Sequence, residues 1–463
     1  MARAIERATA DAGMAGVPTP DALRVVGLLS WRYRDPARFV AAELGISPRE
    51  CGLSTMGGNS PQTLVNTTAG EIQRGEIDLV ILTGAEASRS RLRARKAGVN
   101  LPWTVVADDV APDRILGEDL QMNHPDEIAR RIAAPVQIYP MFETAIRAAA
   151  GESVEDHQSK IATLWAGFSA VAADNEYAWI REAKSAEQIA TVGMTNRMIG
   201  FPYPKLMNSN NDVDQGAALI MCSAAKATEL GIPRDRWVFV HSGSDCHEHA
   251  FVSERWDFAD TPAIRAGGRA ALDLAGVGID DIGIVDLYSC FPAAVQLGAA
   301  SLGLGLDRQL TRTGGLSFAG GPWNNYVMHA IATVVADVRN APDEWALIWA
   351  NGGYTTKHAF GVYATNPPVN GFRHAYPQPE IDALPRRTLA IPAEAAGPST
   401  VDGYSVMHDR DGNPETAIAA CRTPAGQRAW GTSTDVALAA AMCHGEWVGR
   451  SVTLTTDGTL HAE

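Results

Sequence analysis

Gly320–Arg339 reads GGPWNNYVMHAIATVVADVR, two glycines and a proline leading into an apolar-rich run of helical spacing. An earlier passage, GGNSPQTLVNTTAGEIQRGEIDLVILTGAEA at Gly57–Ala87, has the same order: a Gly-Gly pair, a helix, then a buried-looking strand. That strand is DLVILTG in the earlier passage and WALIWANGG, from Trp345, in the later one. The likeness extends upstream, where AIERATADAGM, LRVVGLL and AAELGI are echoed by AIRAGGRAALDLAGV, IGIVDLY and AASLGL. Gly13 and Gly276, like Gly58 and Gly321, stand 263 residues apart, which marks an internal duplication. Two copies do not make a solenoid, so the pattern predicts two pseudo-symmetric halves.

Each half alternates helix and strand, the pattern of an α/β sheet. Residues 1–87 and 206–233 form the first half. Between them, 88–205 is rich in Trp, His and Arg and carries helical stretches such as PMFETAIRAAAG, which predicts an inserted lid or loop domain. The second half spans 234–366, beginning with the strand WVFVHSG. Its proline-rich sequel makes 367–387 an expected extended linker. The tail, 388–463, has short β-prone runs with turns at DGN and DGT and is expected to be a small barrel. The second half has a strand before its first helix, whereas Met1 already lies in the matching helix of the first. A late start or trimming is the expected cause, and a missing strand leaves its neighbour's backbone groups unpaired.

The 463 residues are 46% hydrophobic and 20% charged, enough for about three domains. A net charge of −14 argues against nucleic acid or anionic membrane as main partner. No apolar run reaches membrane-span length and MARAIERATADAG has no signal-peptide core. Cysteines 51, 222, 246, 290, 421 and 443 lack CxxC spacing, so a reduced, cytoplasmic protein is expected.

Pro61 and Pro322 sit where N1 of a helix falls, with Asn59, Ser60 and Gly321 as capping candidates. Gly57, Gly58, Gly320 and Gly321 let the chain turn sharply and let a ligand approach. Each helix start offers unpaired N–H groups and partial positive charge, so two related by pseudo-symmetry suit one carbonyl oxygen or anion. The competing reading, a tight strand-to-helix turn, is weakened by the recurrence.

With GGNSPQ and DLVILTGAEAS, NDVDQGAALIMCS, DIGIVDLYSCFPAAVQ, TGGLSFAGGP and WANGGYTTKHAFGVY in this order, Met1 to about Thr365 resembles the thiolase superfamily. The likeness is to the sterol-carrier-protein-x type of thiolase-like proteins, with an added C-terminal domain. It implies an α/β chain with a duplicated five-layer αβαβα thiolase fold, a loop domain over coenzyme A, an OB-like tail and chemistry on acyl thioesters. Coenzyme A is then part of the substrate and no cofactor is tightly bound. A homodimer is implied, or a monomer if the tail covers the dimer surface.

Four reactive positions depart from the family. The nucleophilic cysteine of thiolases corresponds to Gly57, the GHP turn to Gly320-Gly321-Pro322, the acid/base cysteine to Ala350, and the NEAF or HDCF motif to YSCF from Tyr288. An acyl-cysteine route is therefore unavailable. Cys51 and Cys290 read as packing residues, and His329 likewise.

Tyr288, Tyr354, His358 and Asn324 remain as catalytic candidates. A phenol near two helix starts can donate to an oxyanion or act as base, Tyr354 and His358 sit in the loop that carries the acid/base of thiolases, and Asn324, with Asn325, stands near the lost histidine. For each, a structural role is the alternative. His241, Cys246, His247 and His249 match no zinc spacing and read as a solvated loop. Arg197 and Lys205, with Phe201 and Tyr203 to flank an adenine, and Lys184 are candidates for coenzyme A. The expectation leans to a thiolase-superfamily acyltransferase or an aldolase-like enzyme that makes or breaks a carbon–carbon bond in a coenzyme A thioester; the alternatives are a silent acyl-CoA or lipid binder and a scaffold whose tail recruits others.

Overall fold

The duplicated pattern forms two mixed sheets. The computed structural model describes residues 1–107 and 109–462. In the first half the strands are β1 (Ala22–Val25), β2 (Glu50–Ser54), β3 (Leu79–Ala87) and β4 (Arg114–Leu116). A short hairpin, β5 (Met198–Phe201) and β6 (Tyr203–Pro204), precedes β7 (Asp214–Cys222). The first sheet has the order β4-β2-β1-β3-β7, parallel except for β7. All four residues of β1 are buried, as a central strand covered on both faces requires.

The second sheet comprises β8 (Phe239–His247), β9 (Ile282–Leu287), β10 (Trp345–Gly352), β11 (Lys357–Ala364) and β12 (Arg373–Ala375), in the order β12-β8-β11-β10-β9. Its β9-β10-β11 pairing repeats β1-β3-β7, parallel then antiparallel. The halves differ at one edge. Strand β8 pairs with β11, whereas among the described residues no strand lies on the outer side of β7. A groove of about 1760 Å³ runs there, lined by β7 and the Ala2–Asp11 helix.

The helices Ser60–Gln73 and Tyr326–Asn340 pack on each other between the sheets. Ala2–Asp11 and Pro36–Leu44 cover the first sheet, and Pro262–Ala275 and Pro292–Leu302 the second, giving five layers. Ser60–Gln73 is polar for a central helix, SPQTLVNTTAGEIQ, yet mostly buried. Its polar groups are satisfied across the layer: Gln62 Oε1 accepts from Tyr363 at 2.8 Å, and Asn66 Nδ2 donates to Asp245 at 2.7 Å.

The segment 88–205 does more than cover the fold: it supplies β4 to the first sheet, and β5 pairs with the tail. The 367–387 stretch, expected as an extended linker, instead adds β12 beside β8 and a short helix, Gln378–Asp382. Burial of Phe372 and Ile381 holds it down.

In the tail, β13 (Gly397–His408), β14 (Pro414–Arg422), β15 (Arg428–Ser433), β16 (Ser451–Leu454) and β17 (Leu460–Ala462) form an antiparallel sheet, β15-β14-β13-β16-β17. A single bridge, Thr432–Thr459, brings its edges together. The tail is fastened to the second half: Trp430 Nε1 donates to Ser253 Oγ at 2.9 Å and Arg428 Nη2 to the Arg255 carbonyl at 3.0 Å. Among the described residues, no helix is long and apolar enough to cross a membrane.

Candidate functional site

The first glycine turn opens Ser60–Gln73 with Pro61 in its first turn. Asn59 occupies the cap position, but its side chain donates to Thr63 Oγ1 at 3.3 Å rather than capping. The second turn departs from the expected geometry. Pro322 precedes a 3₁₀ turn, Trp323–Asn325, and the α-helix starts only at Tyr326. Trp323 has a φ of +46°, left-handed backbone that stops an α-helix from starting at Pro322.

The two turns nevertheless meet. Asn324 Oδ1 accepts the Gly57 N–H at 3.1 Å, and Asn324 Nδ2 donates to the Gly27 carbonyl at 2.7 Å. Asn325 Nδ2 donates to the Gly84 carbonyl at 2.8 Å. Asn324 therefore clamps the first turn from the second and occupies a donor that the sequence left for a ligand. Gly320 and Gly321 face elsewhere. A Cβ on Gly320 would lie 2.2 Å from Gln215 Oε1, and one on Gly321 2.7 Å from Asn211 Oδ1.

Tyr288 reaches the first turn from the second half, so close that a Cβ on Gly58 would lie 2.5 Å from its hydroxyl. Burial first, then Cys290 and Tyr326, push its phenol well above the usual tyrosine range. It is thus a donor at neutral pH. Tyr354 is engaged elsewhere, its hydroxyl donating to the Ala133 carbonyl at 2.8 Å and to Asn123 at 3.2 Å. Buried His358 accepts from Trp349 Nε1 at 3.2 Å on Nδ1. Burial, reinforced by Arg255 and His247, holds it neutral, well below the usual range. Of the four catalytic candidates, the fold brings Tyr288 and Asn324 to the Gly57–Gly58 turn and gives Tyr354 and His358 other partners.

Lys357 completes this turn, and the sequence reading passed over it. Its Nζ donates to the Met56 carbonyl, and a Cβ on Gly57 would lie 2.9 Å from Nζ and 3.0 Å from Cε. The amine fills the space a side chain at position 57 would take. Burial lowers its pKa, against the opposing pull of Asp119 and Glu118. A pocket of about 350 Å³ opens beside it, lined by Asn59, Thr63, Asp245, His247 and Tyr376 among others. Composition held the available signal: only Lys96, Lys160, Lys184, Lys205, Lys226 and Lys357 are lysines, and Lys357 alone is buried.

The residues read for coenzyme A are partly joined. Lys205 N donates to the Arg197 carbonyl at 2.9 Å, while Arg197 Nη1 bonds the Asp409 carbonyl at 3.3 Å. Lys184 pairs with Glu182 at 2.8 Å. Phe201 and Tyr203 are not free to flank an adenine, contrary to expectation: both are buried, Phe201 stacked on Tyr404 and Tyr203 hydrogen-bonded to Glu143. Cys290 is buried, its thiol pushed up to about 12 by desolvation. His241 lies 2.7 Å from the Asn366 carbonyl, and Cys246 donates to the Ala263 carbonyl at 3.3 Å.

This architecture, tail included, matches the crystal structure of a monomeric SCP2-thiolase-like protein type 1 from Mycobacterium smegmatis. The TM-score is 0.81 and the identity 31%, over 98% of this chain and 91% of that chain. The chain belongs to the SCP2-thiolase-like proteins of type 1. Residues 377–459 also match the family described as the thiolase-like protein type 1 additional C-terminal domain, a range that includes the Gln378–Asp382 helix. The fold alone is shared with the Ltp2-ChsH2(DUF35) aldolase, at TM-score 0.58 and 19% identity over 78% of this chain and 91% of that chain. It is shared too with the dimeric peroxisomal thiolase of Saccharomyces cerevisiae, at 0.53 and 15% over 78% of this chain and 86% of that chain. No curated protein matches this thiolase-like chain by sequence.

Proposed function

We propose that this thiolase-like protein binds acyl thioesters of coenzyme A at the junction of its glycine turns and makes or breaks a carbon–carbon bond there without a cysteine nucleophile. The observation that carries this reading is the Tyr288 hydroxyl, protonated and pressed against Gly58 at the start of the central helix. A buried donor beside a helix N-terminus suits an oxygen that gains negative charge. In a retro-aldol step the 3-hydroxyl of a 3-hydroxyacyl thioester loses its proton to solvent, which later returns one to Cα, and the Cα–Cβ bond breaks. The electron pair passes to the thioester enolate, whose oxygen Tyr288 stabilises. Protonation at Cα leaves a shorter thioester and an aldehyde or ketone. Arg197 and Lys205, adjacent through a backbone bond, are the cations proposed for the coenzyme A phosphates. The relative described as monomeric supports a monomer here.

A second reading, a silent acyl-CoA binder, is favoured by Asn324, which already occupies the Gly57 N–H. Calorimetric titration with coenzyme A esters and chromatographic assay of 3-hydroxyacyl thioesters separate the two. Turnover that falls about 100-fold in Tyr288→Phe supports the enzyme, on the scale of losing one oxyanion donor. Tight binding with no cleavage supports the binder, and absence of binding removes both.

A further inference from the structure

Lys357 is the feature that the thioester reading leaves unused. Its hydrogen-bond partner is a backbone carbonyl, Met56 O, and no carboxylate forms an ion pair with it among the described residues. It also sits beside the N-terminus of a fourteen-residue helix, whose partial positive charge disfavours an ammonium. Burial works in the same direction. Asn59 Oδ1, buried and without a hydrogen-bond partner, stands on the same side of Gly57, 2.3 Å from where a Cβ there would be. A buried amine with a lowered pKa, an unused acceptor and a pocket at the small end of ligand sites therefore share one wall.

We propose that Lys357 is a nucleophilic amine that forms an imine with a small aldehyde or ketone in the pocket beside Asn59. The Nζ lone pair bonds to the carbonyl carbon while the carbonyl π pair moves to oxygen. A proton passes from nitrogen to that oxygen through solvent, giving a carbinolamine whose hydroxyl can donate to Asn59 Oδ1. The hydroxyl then leaves as water with a proton from solvent, the nitrogen lone pair closes the C=N bond, and the nitrogen returns its remaining proton to solvent to leave the imine. One amine and one carbonyl are consumed and one water is released, with no redox partner. Buried lysines with lowered pKa perform this chemistry because the neutral amine is the nucleophile. The inference needs no coenzyme A and stands apart from the thioester reading.

The test uses the whole protein, with propanal and cyanoborohydride at pH 7, and maps reduced adducts by mass spectrometry. Lys357 is expected to be labelled faster than exposed Lys96 and Lys205, since a lowered pKa leaves more of the amine neutral at pH 7. Denaturation should erase the preference, and Lys357→Met should remove that adduct alone. Labelling of Lys357 no faster than of the exposed lysines overturns the proposal. Because the comparison is made within the wild type, a misfolded variant does not obscure it. Thioester titration of the same sample keeps the readings apart: either result can fail while the other stands.

Discussion

Replacing Gly58 by alanine tests whether the two halves meet as closely as the site requires. The added Cβ would lie 2.3 Å from the Asn351 carbonyl oxygen, 2.5 Å from the Tyr288 hydroxyl and 2.8 Å from Tyr288 Cζ. Ordinary contact requires roughly 1 Å more, and neither obstacle yields easily. Asn351 is held in the β10-β11 ladder opposite His358, and the Tyr288 ring packs edge-on against Tyr326 with centroids 5.6 Å apart. Overpacking costs about 1–3 kcal/mol, and a backbone obstacle puts this site near the top of that range. The lower entropy of unfolded alanine offsets about 0.4–1 kcal/mol, leaving a net loss of about 2 kcal/mol. Scanning calorimetry should show a melting temperature lower by about 2 °C, because the unfolding entropy of a chain of 463 residues is on the order of 1 kcal/mol per degree. Gly167, in the Val154–Asp174 helix, is the control: nothing lies within 4 Å of its Cβ position, so its alanine variant should gain up to about 1 kcal/mol. Adding Tyr288→Phe to Gly58→Ala removes only the hydroxyl contact and should restore less than half of the loss. A Gly58→Ala protein that melts with the wild type would refute the close approach.

Asn324→Ala strips the clamp from Gly57 N and the Gly27 carbonyl, and thermal unfolding should show a loss of about 1–3 kcal/mol. Asp286 is buried, with its pKa raised to about 7 by desolvation despite hydrogen bonds from Arg312 N and Thr311. Between the ordinary carboxylate range and pH 7 the folded state keeps a proton that the unfolded state has lost, so stability falls as pH rises through that window. The fall is at most on the order of 4 kcal/mol. Asp286→Asn should flatten it in denaturation curves from pH 4 to 8. In the tail, Asp402→Ala leaves buried Arg428 without the carboxylate 2.7 Å away. A loss of about 3–5 kcal/mol is expected, read as a lower melting temperature and faster proteolysis of the tail. A paired Arg428→Met and Asp402→Leu variant should recover much of it.

The sequence by itself determined the duplication, the two α/β halves, the β-rich tail and the loss of cysteine and histidine at the reactive positions. Repeat spacing, strand alternation and helical period are properties of neighbouring residues, so they survive in one dimension. Only the tertiary structure decided that Trp323 breaks the second helix start, that Phe372 and Ile381 tie 367–387 to the second half, and that Phe201 and Tyr203 turn inward. It also decided the site. Asn324 bonds Gly57 across 267 positions and Lys357 bonds Met56 across 301, separations that no local pattern encodes. Burial is set by what packs around a group, and burial is what lowers the pKa of one of six lysines, the one over Gly57.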